Sequence, residues 1–444
     1  MKKILSWLEK PFAILALVHL SGGPLMVILD GGASEGDGND SNTNMPLVIF
    51  LYLAIYAISF LLLILRWKKV IPLAVKGWPI SLFTGLIIFS NIWSHTPSAT
   101  LNHSILFTGT TLFALYLASR YSIKEQLQLL GWVFVVIVLI SLLFIVALPK
   151  YGIMAGVHTG AWRGMYMHKN GFGPFMSIAT IVFFLLAQSC RKNLEKPGLF
   201  WLFCGLSALM MLLSRSSSSI INIVIMGTAL FSLPILRLNY ELMIPVLAGI
   251  SSISVILYTL AVSNSGFIFD LLGKDSTLTG RTELWAPVID KIQENPLLGY
   301  GYGAFWQGLD GPSAYVWLAQ PFKAMHPHSG YLELLIDVGI VGFLLYIFIF
   351  FIGLQRALFY IKRIKTADGL WPAIFFIFVL VSNVAESGLV QANSFLYVIQ
   401  TSLLLSLNLP IEAEIATFWN QVKKRKVSRS SASKFLLSET ERNS

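Results

Sequence analysis

Charge is the first thing this chain lacks. Only 12% of its 444 residues are Asp, Glu, Lys or Arg, while 55% are hydrophobic and the mean hydropathy is +0.71. Ordinary soluble domains are about 25% charged, so a water-soluble globule is excluded. Cysteine is scarcer still: Cys190 and Cys204 are the only two, too few for a disulfide scaffold or a four-thiolate zinc site. No small-x-small cleavage site follows the first apolar run, although Lys2, Lys3 and Lys10 precede or enter it. That run is therefore kept as a membrane span and is not read as a signal peptide. No internal repeat is visible at any period.

What the chain has instead is long apolar runs, each able to cross roughly 30 Å of hydrocarbon. Twelve are read, at residues 12–29, 46–65, 77–93, 104–119, 127–148, 171–189, 198–214, 219–236, 242–262, 331–353, 370–386 and 393–409. Backbone polar groups in lipid must be bonded within their own segment, so these are helices. The fold class expected is an all-α polytopic membrane protein.

The excess of 32 basic over 22 acidic residues gives a net charge of +10. With the amino terminus in the cytoplasm and twelve spans, 24 of the 32 Lys and Arg lie inside, which fixes the orientation by the positive-inside rule and places both termini in the cytoplasm. The basic run at 423–426 then reads as a membrane-surface tail and not a nucleic-acid patch. Cys190 and Cys204 fall at or near the reducing side, so no disulfide is expected. The acidic, Gly- and Asn-rich run 30–44 reads as a mobile loop outside the membrane.

Four regions follow: a transmembrane bundle over 1–262, an extracytoplasmic loop over 263–330, further spans over 331–409 and a basic tail over 410–444. The long loop lies between the ninth and tenth spans. A twelve-span facilitator normally has its long loop on the cytoplasmic side between the sixth and seventh, so two matched halves rocking about a midplane site are disfavoured. Within the loop, Leu284, Trp285, Val288, Ile289 and Ile292 form a helical stripe. Glu283 suits the positive helix start, Pro287 is tolerable only near that start, and Pro296 closes the element. The segment GYGYGAFW that follows carries Tyr300, Tyr302 and Trp306, suited either to interfacial anchoring or to stacking on a sugar.

Eight cations lie outside, and three are arginines: Arg163, Arg215 and Arg281. Arg215 sits in LSRSSSSI, flanked by apolar sequence. An arginine at that depth faces a cavity, a partner or an anion, or snorkels to a lipid phosphate. The serines beside it allow close helix packing, and no G-x-S-x-G or paired Lys makes one of them a nucleophile. Arg163 either binds an anion with Lys169 or marks the interface beside Trp162 and Tyr166. Guanidinium forks bind phosphate oxygens bidentately, so converging arginines would make a pyrophosphate site without metal. His326 and His328 flank Pro327 before the tenth span. Three uses are open to them: a general base for a hydroxyl, a zinc pair or a structural pair. Glu333 and Asp337 follow at helical spacing and either orient the imidazole or start the helix.

Three segments together, SRSSSSI, GRTELWAPVIDKIQENPLLGYGYGAFW and HPHSGYLELLIDVGIVGFLLY, resemble the bacterial O-antigen ligases and Wzy-type O-antigen or exopolysaccharide polymerases. The resemblance covers roughly 200–355 by motif and the whole chain by topology. It implies a GT-C-like, inverting, metal-independent glycosyltransferase without cofactor in the bacterial inner membrane, taking its sugar chain from an undecaprenyl-diphosphate carrier on the outer face. Carried over by residue, Arg215 and Arg281 match the arginines that hold the diphosphate, with Arg163 a further candidate. His328 matches the histidine that activates the acceptor hydroxyl. Ser329 stands where the family often has Asn. The partners implied are the carrier-linked glycan, a glycan or lipid A-core acceptor, membrane lipids, a flippase and a chain-length regulator.

The wording at 299–306 favours polymerisation of repeat units. Ligation of finished polysaccharide to lipid A-core or another acceptor is the alternative within the same chemistry. A lipid-carrier transporter and a non-catalytic scaffold are the alternatives outside it.

Overall fold

The computed structural model describes residues 2–32, 45–189, 197–239, 241–245, 281–320 and 323–408, with the side chains of 2–6, 281, 282 and 385 excepted. The described residues are built from helices and turns, with one isolated antiparallel bridge between Ile153 and Trp162. In chain order come α1 (Lys2–Leu20), α2 (Leu25–Leu29), α3 (Pro46–Leu65), α4 (Trp67–Lys76), α5 (Trp78–Phe89), α6 (Pro97–Arg120), α7 (Ile123–Ala147) and α8 (Pro149–Gly152). There follow α9 (Lys169–Ser189), α10 (Pro197–Leu213), α11 (Ser217–Ser232), α12 (Arg281–Glu294), α13 (Ala314–Ala319), α14 (Gly330–Arg363), α15 (Trp371–Ala385) and α16 (Phe395–Ser406).

Local sequence explains most of the starts. Proline occupies the first or second position of α3, α5, α6 and α15, where its missing N–H removes nothing and its fixed φ suits the helix. Helix α7 opens with a full capping box between Ser122 and Glu125, and the Ser394 hydroxyl caps α16 by accepting from the Tyr397 N–H.

Helix occupies each expected span where it is described. The ninth, 242–262, lies outside the described residues after position 245. By length and composition, five helices are able to cross a membrane, or six if a bent pair counts as one span. Shorter apolar helices, α10 and α16 among them, stand beside these. The chain is an integral membrane protein: Leu61, Leu65, Leu139, Leu143, Val146, Phe231 and Phe351 lie exposed on the outer faces of its long helices, a pattern that water would penalise and lipid accepts.

Two elements depart from the sequence reading. The first apolar run is not one helix: α1 stops at Leu20, and Gly22, at φ +91°, begins a turn that leads into α2. The basic segment 66–76 is not a plain loop. It forms α4, bent by 83° from the helix after it, with Trp67, Ile71 and Val75 exposed on one stripe, as in a helix that lies along a membrane surface.

Two cores hold the described residues together. The large one joins α1, α3, α6, α7, α9 and α14 to α16 through Phe107, Tyr116, Phe134, Phe183 and Trp371, all fully or almost fully buried. The small one belongs to the segment between α11 and α14: Leu284, Val288, Tyr300, Phe305 and Val316 pack on Ile336. At the end of the bundle away from that segment, Glu9 of α1 is buried and pairs with both Arg66 and Arg120, tying α1 to the C-terminal ends of α3 and α6.

Candidate functional site

Arg215 forms the turn between α10 and α11 with φ +51°, a conformation that costs a non-glycine residue about 1–2 kcal/mol. The turn is packed from below. Gly173 of α9 lies against Ser214, Ser216 and Ser219, leaving no room for a Cβ, and the Ser177 hydroxyl donates to the Ser219 carbonyl at 3.1 Å. The serine run thus serves the close helix packing read from it. The Arg215 side chain is exposed and passes beside Gly160. Among the described residues its guanidinium has no hydrogen-bond or ion-pair partner. Lys169 at the start of α9 reaches the Arg215 carbonyl at 3.4 Å, and the Ser216 hydroxyl donates to Asn170 Oδ1 at 3.3 Å. Two cations and a helix start therefore gather around one exposed turn, an arrangement suited to an anion.

Arg163 is placed differently. Its side chain is fully buried, and its guanidinium donates to four backbone carbonyls: Tyr151 at 3.0 Å, Met167 at 3.2 Å, Gly32 at 2.7 Å and Lys150 at 2.9 Å. Those bonds clamp the loop between α8 and α9 to the turn after α2. A guanidinium so occupied has no face turned toward a diphosphate.

Arg281 heads α12, but its side chain lies outside the described residues. The rest of the helix shows how the loop is held. Pro287 has no N–H to offer the Glu283 carbonyl one turn back, and Gln320 Nε2 takes that carbonyl instead at 3.0 Å. Trp285 donates from Nε1 to the carbonyl of Pro327 at 2.9 Å. The helix that starts with Arg281 is thereby fastened to the peptide between the two histidines. His328 has φ +50°, its N–H points at His326 Nδ1 at 3.4 Å, and the two rings meet edge to face at 4.2 Å between centroids. Both imidazoles are half-buried. The pair is thus packed together, and the extended X-Pro geometry that would send the rings to opposite sides is overridden by the positive φ at His328. Ser329 occupies the N-cap position of the following helix without a capping bond from its hydroxyl, and Glu333, half-buried in its first turn, faces Ser387.

The glycine-rich segment is a docking device. Helix α14 breaks at Gly339, φ +63°, which frees the carbonyls before it. Tyr300 N–H donates to the Ile336 carbonyl at 2.9 Å, Gly301 N–H to Asp337 at 3.0 Å, and in return Ile340 N–H donates to Pro296 at 2.9 Å. Gly301, at φ +99°, lies so close to Ser94 that a Cβ would stand 2.6 Å from its hydroxyl. Tyr300 and Tyr302 are only 2% and 4% exposed, so neither presents a ring face on which a sugar could stack. Tyr300 packs against His95 and Phe305, burial pushes its phenol up to about 12, and the hydroxyl stays a donor toward the Lys291 carbonyl at 3.1 Å. Tyr302 donates to the Val390 carbonyl at 3.1 Å. Trp306 is half-buried, edge-on to Phe305, and its Nε1 has no hydrogen-bond partner among the described residues.

A cavity of about 460 Å³ is bounded by the ends of α1, α9 and α15 and the connection from α15 to α16. Asn170, Asn383, Glu386, Ser387, Gln391 and Asn393 supply its polar wall. Hydrogen bonds tie two of its lining residues to the arginine turn and to the segment after the histidines. Asn170 is bonded to Ser216, the neighbour of Arg215, and the Gly330 N–H, two residues on from His328, donates to the Glu386 carbonyl at 3.0 Å. None of these wall residues stands out in the sequence as a motif. The only local signal is the polar run ESGLVQANS between the last two apolar segments. Among the described residues there is no cluster of three or more His, Cys, Asp or Glu that could hold a metal ion.

Comparison with known proteins adds two likenesses. Residues 202–347 match the family described as O-antigen ligase, a stretch that contains Arg215, Arg281, the glycine segment and both histidines. The exopolysaccharide production protein ExoQ of Rhizobium meliloti (strain 1021) is 27% identical over 309 residues, 66% of this chain and 68% of that protein. The three sequence motifs, the matched region and this relative agree: residues 202–347 are similar to the O-antigen ligase family, and the chain as a whole resembles an exopolysaccharide production protein.

Proposed function

We propose that the protein is a membrane glycosyltransferase that polymerises exopolysaccharide or O-antigen repeat units from an undecaprenyl-diphosphate-linked donor. The observation that carries this reading is the cavity, tied by one hydrogen bond to the neighbour of Arg215 and by another to the turn after His328. The ExoQ relative, whose name is exopolysaccharide production protein, favours polymerisation. The family description favours ligation of finished polysaccharide to lipid A-core or another acceptor, which uses the same chemistry.

In this reading the acceptor hydroxyl attacks the anomeric carbon as the bond from that carbon to the diphosphate oxygen breaks. The acceptor proton passes to His328, acting as general base. Negative charge grows on the leaving diphosphate, and Arg215 and Arg281 stabilise it most in the transition state. Attack opposite the leaving group inverts the anomeric centre. His326 packs on His328 and holds its ring, and Arg163 clamps the loop between α8 and α9 to the turn after α2 without touching substrate. The loop-bearing end faces away from the cytoplasm, a placement supported by the basic residues Arg66, Arg120 and Arg237 at the other end.

Deletion of the gene tests this. A polymerase leaves single repeat units on the lipid carrier, a ligase leaves full-length polymer there, and unchanged polymer in the deletion strain overturns both.

A further inference from the structure

The 460 Å³ cavity has a wall chemistry that none of the motifs carries. Its volume falls in the range of small-molecule sites, roughly 300–1,000 Å³. Its polar lining consists of amides and hydroxyls, and Glu386 is its one residue with a formal charge. Asn383 and Asn393 are already committed: Asn383 accepts from Gly388 N–H at 3.1 Å, and Asn393 accepts from the Tyr56 hydroxyl at 2.6 Å. These bonds fix the connection between α15 and α16 as a rigid rim. On that rim Gln391 is exposed and lines the cavity, and among the described residues its amide has no hydrogen-bond partner. Ser387, another lining residue, turns its hydroxyl toward Glu333. Phe175, Ile178 and Phe395 add apolar surface to the same lining.

We infer that this cavity is the subsite for the sugar next to the diphosphate, that the sugar is a pyranose, and that Gln391 is a specificity-determining residue for it. A pyranose has one face of C–H groups and a rim of hydroxyls, which matches a lining that combines apolar side chains with the unbonded amide of Gln391. The position follows from the hydrogen bonds that tie the lining to the arginine turn and to the segment after the histidines, since the anomeric carbon must lie between the diphosphate and the base. This inference rests on the glycosyltransferase reading above.

The test uses the full-length protein in lipid nanodiscs and two probes: undecaprenyl diphosphate, and the carrier-linked repeat unit extracted from a strain lacking the gene. Gln391→Ala removes the exposed amide. Gly171→Leu fills the cavity from α9, where a new Cβ meets nothing closer than 3.9 Å. Both variants are expected to bind undecaprenyl diphosphate like the wild type. Gln391→Ala is expected to bind the glycosylated carrier about fivefold more weakly, the worth of one hydrogen bond, and Gly171→Leu to lose the preference for it altogether. If both variants bind both probes as the wild type does, the subsite is elsewhere, while the glycosyltransferase reading stands. If the wild type binds neither probe, that reading fails and takes the subsite with it.

Discussion

Trp285 on α12 donates its indole N–H to the carbonyl of Pro327 at 2.9 Å, so one hydrogen bond joins the helix headed by Arg281 to the peptide between His326 and His328. This bond makes the arginine helix and the histidine pair one unit, although some forty residues of chain separate them. Trp285→Phe keeps a ring in place and removes the donor. Transfer activity is expected to fall about tenfold, because small displacements of a catalytic group are costly, while the amount of membrane-inserted protein stays the same. Wild-type activity in Trp285→Phe would show that the bond does not position the base.

The strained turn separates Arg215 from an ordinary surface arginine. A residue held at φ +51° with an exposed, unpartnered guanidinium stores strain in the manner of a functional site. Arg215→Gly relieves that strain, so thermal stability is expected to rise by about 1 kcal/mol as activity is lost. Arg215→Lys keeps strain and charge but loses the fork, and its activity is also expected to fall sharply. Active lysine and glycine variants would remove Arg215 from the anion site.

Arg163 is expected to behave in the opposite way. Lysine cannot reach the four carbonyls that the buried guanidinium serves, and each charge-assisted bond lost costs about 1.5–3 kcal/mol. The measurable outcome for Arg163→Lys is less folded protein and a lower melting temperature, with donor affinity per folded molecule unchanged. Normal stability together with lost donor affinity would return Arg163 to the diphosphate site.

Much of this was legible in the sequence, and the parts that were not have physical causes. Apolar runs predicted the helices, since a span must satisfy its own backbone. The loop stripe was read correctly at Leu284, Val288 and Ile292, which pack into the small core, but Ile289 is 41% exposed because that core is fed from one narrow face. Glycines at 299, 301 and 303 read as a turn. Their use, the close approach of the chain to Asp337, Ser94 and His103, depends on the break at Gly339, which no local pattern marks. The tyrosines between them were read as surface groups because aromatics beside glycine resemble an interface or a sugar platform. Asn170, Glu386 and Gln391 were missed altogether, since they come together only through packing between the ends of α9, α15 and α16.

The glycine docking gives its own test. Gly301→Ala places a methyl group against Ser94 at a φ that suits only glycine, and it is expected to detach the loop, abolishing activity and making the 281–320 segment sensitive to protease. Gly85→Ala, where no atom lies within 4 Å of the new methyl group, is the matched control and should change nothing. Equal behaviour of the two would contradict the docking role.

The central claim is that this chain forms glycosidic bonds with His328 as the base. The direct measurement is reconstitution of purified wild-type and His328→Ala protein in liposomes with the carrier-linked single repeat unit, followed by mass analysis of the carrier-linked glycans. The wild type should convert single repeats into dimers and longer chains and release free undecaprenyl diphosphate. His328→Ala should insert normally, bind the donor and form none. Chain growth by His328→Ala at the wild-type rate, or no new glycosidic bond from the wild type, would contradict the account.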